Sequence, residues 1–185
     1  MKELSEHILD IAQNSIAAGA AHLVITLTED GNGRLTVVIE DDGRGMPPEL
    51  LISVLDPFTT TRTTRNVGLG LPLYRMSAEM TGGSLEISST EGRGTTVTAI
   101  FCTDHLDCPP LGNLPQVIAL LVQGAPDMDI SFRHITPNGQ SELLTEELRQ
   151  ALGGEISLAE PEIFLWIQEN LKEQEAQLEG AGTTI

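Results

Sequence analysis

Four short segments alternate apolar and polar residues, and they come as two pairs closed by glycine turns. "HLVITLT" (22–28) and "RLTVVIE" (34–40) meet across "EDGNG", and "SLEISST" (84–90) and "TTVTAIF" (95–101) meet across "EGRG". A period of two gives each segment one apolar face, as a half-buried strand requires. A short glycine-containing turn then brings the chain back antiparallel to itself. Two hairpins cannot bury their own apolar faces, so helices must cover one side. Residues 3–18 supply one, with Leu4, Ile8, Ile11, Ser15 and Ala18 on a single stripe that stops at Gly19. "PPELLISVL" (47–55) starts a second on prolines, which a first turn tolerates. Leu71–Thr81 reads as a third, with Pro72 inside its start and Gly82-Gly83 past its end. The order predicts an α+β fold, a two-layer α/β sandwich with helices on one face of a mainly antiparallel sheet.

The chain changes character near Asp104. A Pro/Gly connection, "CPPLGNLP", leads to a helix over Leu114–Val122 and a hairpin, "DISFRHITPNGQSELL", turning on Asn138-Gly139. Two more helices follow, the last from about Pro161 to Leu178. The expected division is a domain over 1–104 and a smaller, acidic α/β appendage over 105–185. The two parts carry formal charges of −7 and −10. Whether the appendage stands apart or packs on the sheet is left open by the sequence.

A net charge of −17 and only 3% aromatic residues exclude a base-stacking or phosphate-tracking surface, hence nucleic acid as a partner. The same charge repels anionic membranes, and no apolar run approaches the ~18 residues of a spanning helix. "MKELSEHILD" lacks the apolar core of a signal peptide. The expectation is a cytoplasmic protein. Cys102 and Cys108 make neither a disulfide framework nor a four-ligand metal site and read as two reduced thiols.

Against this acidic background four clusters stand out. Asp10 and Asn14 lie four apart, one turn from each other on one helix face. "VVIEDDGRGMPPELL" ends a strand on two carboxylates, Asp41 and Asp42, with Gly43 and Gly45 free to approach closely or take positive φ. Residues 57–78, "PFTTTRTTRNVGLGLPLYRMSA", contain no acid, although this composition would give such a window about three. They hold Arg62, Arg65, Arg75 and five threonines, and glycines stand before a helix start, which suits an anion. Thr95 follows the glycine of the second hairpin. Taken singly, each has a plain reading as helix flank, tight turn, solvated loop or hairpin.

In their order and spacing the four clusters resemble the ATP-binding domain shared by DNA gyrase, heat-shock chaperones, histidine kinases and mismatch-repair ATPases, the GHKL family. "ILDIAQNSIAAGA" is similar to its asparagine box, "DDGRGMP" to its aspartate-glycine box, and "LDPFTTTR" with "VGLGL" to its phenylalanine and second glycine boxes. "GRGTTVTAIF" is similar to the closing strand. The likeness covers residues 3–103 and implies a Bergerat-type ATP-binding fold.

The resemblance implies roles. Asp41 would accept a hydrogen bond from the adenine amino group. A carboxylate can only accept, and guanine presents a carbonyl there, so the pair would be left unsatisfied at roughly 1–3 kcal/mol. Thr95 would add a water-assisted adenine contact, Gly43 and Gly45 would keep the wall thin, and Met46 would line it. Asn14 would bind Mg2+, an ion that takes most of its ligands from water and phosphate. Thr60, Thr61 and Arg62 would open a lid, and Gly68, Leu69 and Gly70 would offer amides to the phosphates. Asn66 stands where many members have glycine. Asp10 occupies the place of a general base, one methylene shorter than the glutamate of hydrolysing members, so slow turnover is expected.

Two functional classes follow. One is a Mg-ATP-dependent signalling kinase acting on a separate protein, or a slow ATPase. No paired-helix phosphoacceptor segment is expected ahead of a nucleotide-binding stretch that opens three residues in. His7 is read as a structural or flank histidine rather than a phosphoacceptor, and His22, His105 and His134 have no supporting context. The other class is a non-catalytic ATP-gated interaction module, whose C-terminal region meets a protein partner. In that region "PEIFLWIQENL" reads first as the core contact of a terminal helix. A homodimer is compatible with either.

Overall fold

The computed structural model describes residues 2–55 and 70–180. Twelve elements follow one another among them: α1 (Leu4–Ala17), β1 (His22–Glu29), β2 (Arg34–Asp41), α2 (Pro48–Ser53), α3 (Gly70–Met80), β3 (Ser84–Thr90), β4 (Gly94–Cys102), α4 (Leu114–Gly124), β5 (Asp129–Thr136), β6 (Gly139–Leu144), α5 (Thr145–Ala151) and α6 (Pro161–Gly180). The strands form one six-stranded sheet in the order β3-β4-β2-β1-β5-β6. Every neighbouring pair is antiparallel except β1 and β5, which run parallel with Leu23 opposite Ile130 and Ile25 opposite Phe132. This is the expected mixed α/β sandwich, and the C-terminal residues extend its sheet.

The period-two pattern sets the inner face. Leu23, Ile25 and Leu27 of β1, Val37 and Ile39 of β2, Val97, Ala99 and Phe101 of β4, and Ile130 and Phe132 of β5 are all buried. Helix α1 presses Leu4, Ile8, Ile11 and Ala12 into the same core, and α4 adds Leu114, Ile118, Leu121 and Val122. Each of the larger side chains among these contributes about 1.5–3 kcal/mol by leaving water. Helix α4 starts where Asn113 accepts a 3.1 Å hydrogen bond from the Gln116 amide, with Pro115 in the first turn.

The Pro/Gly connection has a second task. The amides of Leu4 and Ser5, unmatched inside their own helix, donate to the carbonyls of Pro110 and Leu111 at 3.0 and 2.9 Å. Residues far along the chain thus cap the helix that opens it.

Helix α6 covers the outer part of the sheet. Ile167 and Leu171 are fully buried, whereas Leu165 and Trp166 remain 55% and 48% exposed, so the aromatic cluster splits between core and surface. The edge of β6 is closed by a side chain. Gln174 accepts from the Glu142 amide at 2.8 Å and donates to the Glu142 carbonyl at 3.2 Å, taking the place of a neighbouring strand. Asn138 anchors the end of α6 through the Leu178 carbonyl at 2.9 Å.

Candidate nucleotide-binding site

Asp41, the last residue of β2, and Asp42, which follows it, send their carboxylates to different partners. Asp42 turns outward. Its Oδ1 accepts the amides of Ala21 and His22, both at 2.8 Å, and its Oδ2 meets His22 Nδ1 at 2.7 Å. The hydrogen bond to His22, first through the ring and then through the backbone, holds the Asp42 carboxyl below its usual range. Asp42 therefore fastens the start of β1.

Asp41 turns inward. Oδ2 accepts a 2.6 Å hydrogen bond from the Ser15 hydroxyl and Oδ1 accepts the Gly43 amide at 2.9 Å. Beside it opens a cavity of about 140 Å³ between α1 and the sheet. Ile11, Ile39, Met46, Val54, Leu71 and Val97 give it apolar walls, and Asn14, Ser15, Asp41, Arg44 and Thr95 bring the polar groups. An apolar slot with a few convergent polar groups is the usual form of a small-molecule site.

The neighbouring turn is held by close backbone approach. Gly45 has φ +64°, and a Cβ there would fall 2.0 Å from the Thr90 carbonyl oxygen. Gly94, at φ +120°, would bring one within 1.9 Å of the Asp41 carbonyl oxygen. Ser89 ties the two together: its hydroxyl receives the Met46 amide at 2.8 Å and lies 2.9 Å from Thr95 Oγ1. Thr95 itself faces Asp41 across the β2–β4 ladder.

Asp10 sits one turn from Asn14, beyond the cavity lining. It forms an ion pair with Lys2 and lies next to the first residue of α3, where a Cβ on Gly70 would stand 3.4 Å from Asp10 Cβ. The structure thus gathers Asn14, Asp41, Gly45, Met46 and Thr95 at one cavity, sets Gly43 behind Asp41, and places Asp10 and Gly70 together beside it. Thr60, Thr61, Arg62, Gly68 and Leu69 lie outside the described residues, as does Asn66. Among the described residues no group of three or more His, Cys, Asp or Glu side chains is arranged to hold a metal ion. A divalent ion here would take Asn14 and fill its shell from a bound phosphate and water, which suits magnesium.

Three participants escape a reading of the motifs. Ser15 is buried on the apolar stripe, and its signal was a hydroxyl at a core position. Ser89 and Lys2 carry no local signal at all. His7 is buried and stacked on Tyr74 with ring centroids 5.1 Å apart. Burial, and then Lys2, lower its pKa against the pull of Asp10 and Glu6, as befits a structural imidazole. Cys108 has its thiol pushed up by burial first and by Cys102 second, away from a reactive thiolate.

Comparison with known proteins bears on the same residues. A family model described as "Histidine kinase-, DNA gyrase B-, and HSP90-like ATPase" matches residues 1–105. The sensor histidine kinase ZraS of Escherichia coli (strain K12) is 31% identical over 96 residues, covering 51% of this chain and 20% of that protein. The histidine protein kinase DivJ of Caulobacter vibrioides is 32% identical over 102 residues, covering 52% of this chain and 17% of that protein. The chain thus spans about a fifth of the length of these relatives. A crystal structure of the N-terminal domain of a DNA repair protein superposes with a TM-score of 0.56 at 18% identity, over 78% of this chain and 52% of that one, a likeness of fold. None of the described helices is long and apolar enough to cross a membrane.

Proposed function

Because this chain belongs to the histidine kinase-, DNA gyrase B- and HSP90-like ATPase family, we propose that the cavity beside Asp41 binds Mg-ATP and that the protein is a signalling kinase acting on a separate protein, or a slow ATPase. The observation that carries this reading is the Asp41 carboxylate, fixed by Ser15 and Gly43 at the polar end of an apolar slot.

Both oxygens of Asp41 are already oriented, so accepting the adenine amino group costs little reorganisation. Ser15 donates to Oδ2 and so sets which lone pairs face the base. Thr95, tethered to Ser89, offers a hydroxyl on the same edge. The apolar walls sandwich the base and exclude water, which sharpens discrimination against guanine. Gly70 opens α3 beside Asp10, where first-turn amides are available to phosphate. Asn14 would hold magnesium, which offsets the charge of the phosphates. Asp10 would accept a proton from the attacking hydroxyl or water.

A second reading, a non-catalytic ATP-gated interaction module, draws on one observation. Trp166 and Leu165 stay half-exposed on α6, where they offer an apolar contact to a protein partner.

Calorimetry with Mg-ATP and Mg-GTP tests the first reading. ATP binding that is lost with GTP and in Asp41→Asn is the expected result; wild-type protein that binds neither nucleotide refutes it. Turnover abolished in Asp10→Asn with ATP binding retained separates the enzyme from the interaction module.

A further inference from the structure

We propose that Lys2 is a terminal-phosphate contact of this site, exchanging Asp10 for the γ-phosphate when ATP binds; this rests on the nucleotide reading above. Three placements carry it. The ammonium of Lys2 pairs with Asp10 Oδ2, and both side chains are 37% exposed. An ion pair so open to water contributes little and exchanges readily for a stronger anion.

The second placement is Asp10 against the start of α3. A Cβ on Gly70 would lie 3.4 Å from Asp10 Cβ and 3.6 Å from Oδ2, the oxygen that Lys2 contacts. The ammonium therefore stands beside the helix end assigned to the phosphates. The third is the order along α1. Ser15 meets Asp41 at the adenine end, Asn14 follows, and Asp10 with Lys2 lies one turn further toward the helix start. That order matches a nucleotide laid from its base to its last phosphate.

A protein of net charge −17 has a particular need of such a cation. The exchange also makes the base depend on the third phosphate. Without it, Lys2 occupies Asp10 Oδ2. With it, the lysine moves to the phosphate oxygens and leaves that carboxylate oxygen open to a proton. ADP, lacking the γ-phosphate, would leave the pair in place.

Affinities of the Mg complexes of ADP and of the β,γ-imido analogue of ATP, measured by calorimetry, decide it. Lys2→Gln is expected to weaken the analogue about tenfold and to leave ADP within about twofold, as removal of one charge-assisted contact to the last phosphate would. Lys2→Arg is expected to keep the preference. In an Asp10→Asn background the Lys2→Gln loss should grow, because the lysine is no longer shared. Equal weakening of both nucleotides, or of neither, overturns the proposal while leaving the ATP site standing. Wild-type protein that binds neither removes the nucleotide reading and this proposal together.

Discussion

The Ser15 hydroxyl donates a 2.6 Å hydrogen bond to Oδ2 of Asp41, joining the buried face of α1 to the end of β2. Ser15 is 3% exposed, so this hydroxyl has exchanged water for a carboxylate. Hydrogen bonds to charged groups are worth about 1.5–3 kcal/mol. Ser15→Ala is therefore expected to weaken ATP binding about tenfold or more while the far-ultraviolet dichroism stays that of the wild type. Unchanged affinity in calorimetry would show that Asp41 holds its orientation without Ser15.

Gly45→Ala is expected to lower stability by about 2 kcal/mol or more. The substitution adds strain at φ +64° to an overlap with the Thr90 carbonyl at 2.0 Å, where backbone rather than a flexible side chain must give way. Thermal unfolding reads the loss directly. A melting temperature within about a degree of the wild type would contradict the close approach.

His134 carries the pH dependence. Its Nδ1 lies 2.8 Å from Glu175 on α6 and its Nε2 lies 3.0 Å from Glu29 on β1, so a proton on each nitrogen satisfies both carboxylates. Burial pulls the imidazole pKa down, but Glu175 and then Glu29 outweigh it and the net shift is upward. A raised folded-state pKa gives stability that is fully present below the unfolded value, near 6.5, and lost as pH rises through the folded value. Urea midpoints taken from mildly acidic to mildly alkaline pH should fall over that window in the wild type and fall less in His134→Gln. Exposed His22, raised by Asp42, titrates in the same direction in both proteins and cancels in the comparison. Parallel curves would mean that the cluster is not proton-linked.

Gln174→Ala should release the guarded edge of β6. Two hydrogen bonds to the Glu142 backbone are lost, at about 1 kcal/mol each at most, and a solvated strand edge appears. Hydrogen exchange at the Glu142 amide should accelerate, and slow concentration-dependent association should follow. Protection equal to the wild type would show that α6 shields the strand without this side chain.

The elements were legible where their signal is local. Alternation with glycine turns located β1 to β4, and Asn138-Gly139 located the β5–β6 hairpin to within one residue: the turn itself is Pro137-Asn138, and Gly139 already pairs with Thr136. The neighbour of β5 was not legible, because a parallel pairing between residues more than a hundred positions apart leaves no turn to mark it. The cavity could be read in outline from Asn14, Asp41, Gly45, Met46 and Thr95, since their spacing is that of a recurrent domain. Ser15 was legible as a stripe position but not as the donor to Asp41. His134 looked contextless, because its carboxylates come from Glu29 and Glu175 at the two ends of the chain. Trp166 and Ile167 are adjacent, yet one is half-exposed and the other buried, because neighbouring residues of a helix project about 100° apart and α6 turns the Ile167 face to the core.

The carbonyls of Pro110 and Leu111 that terminate the first turn of α1, together with the lodging of β1 between β2 and β5, have a consequence for dissecting the protein. A stop after residue 105 would strip β1 of one whole row of hydrogen-bond partners and leave α1 unfastened at its first turn, next to Lys2. The acidic half is in this sense the keystone of the cavity beside Asp41, and a truncated chain that fails to bind ATP would report a broken scaffold, not a missing ligand contact.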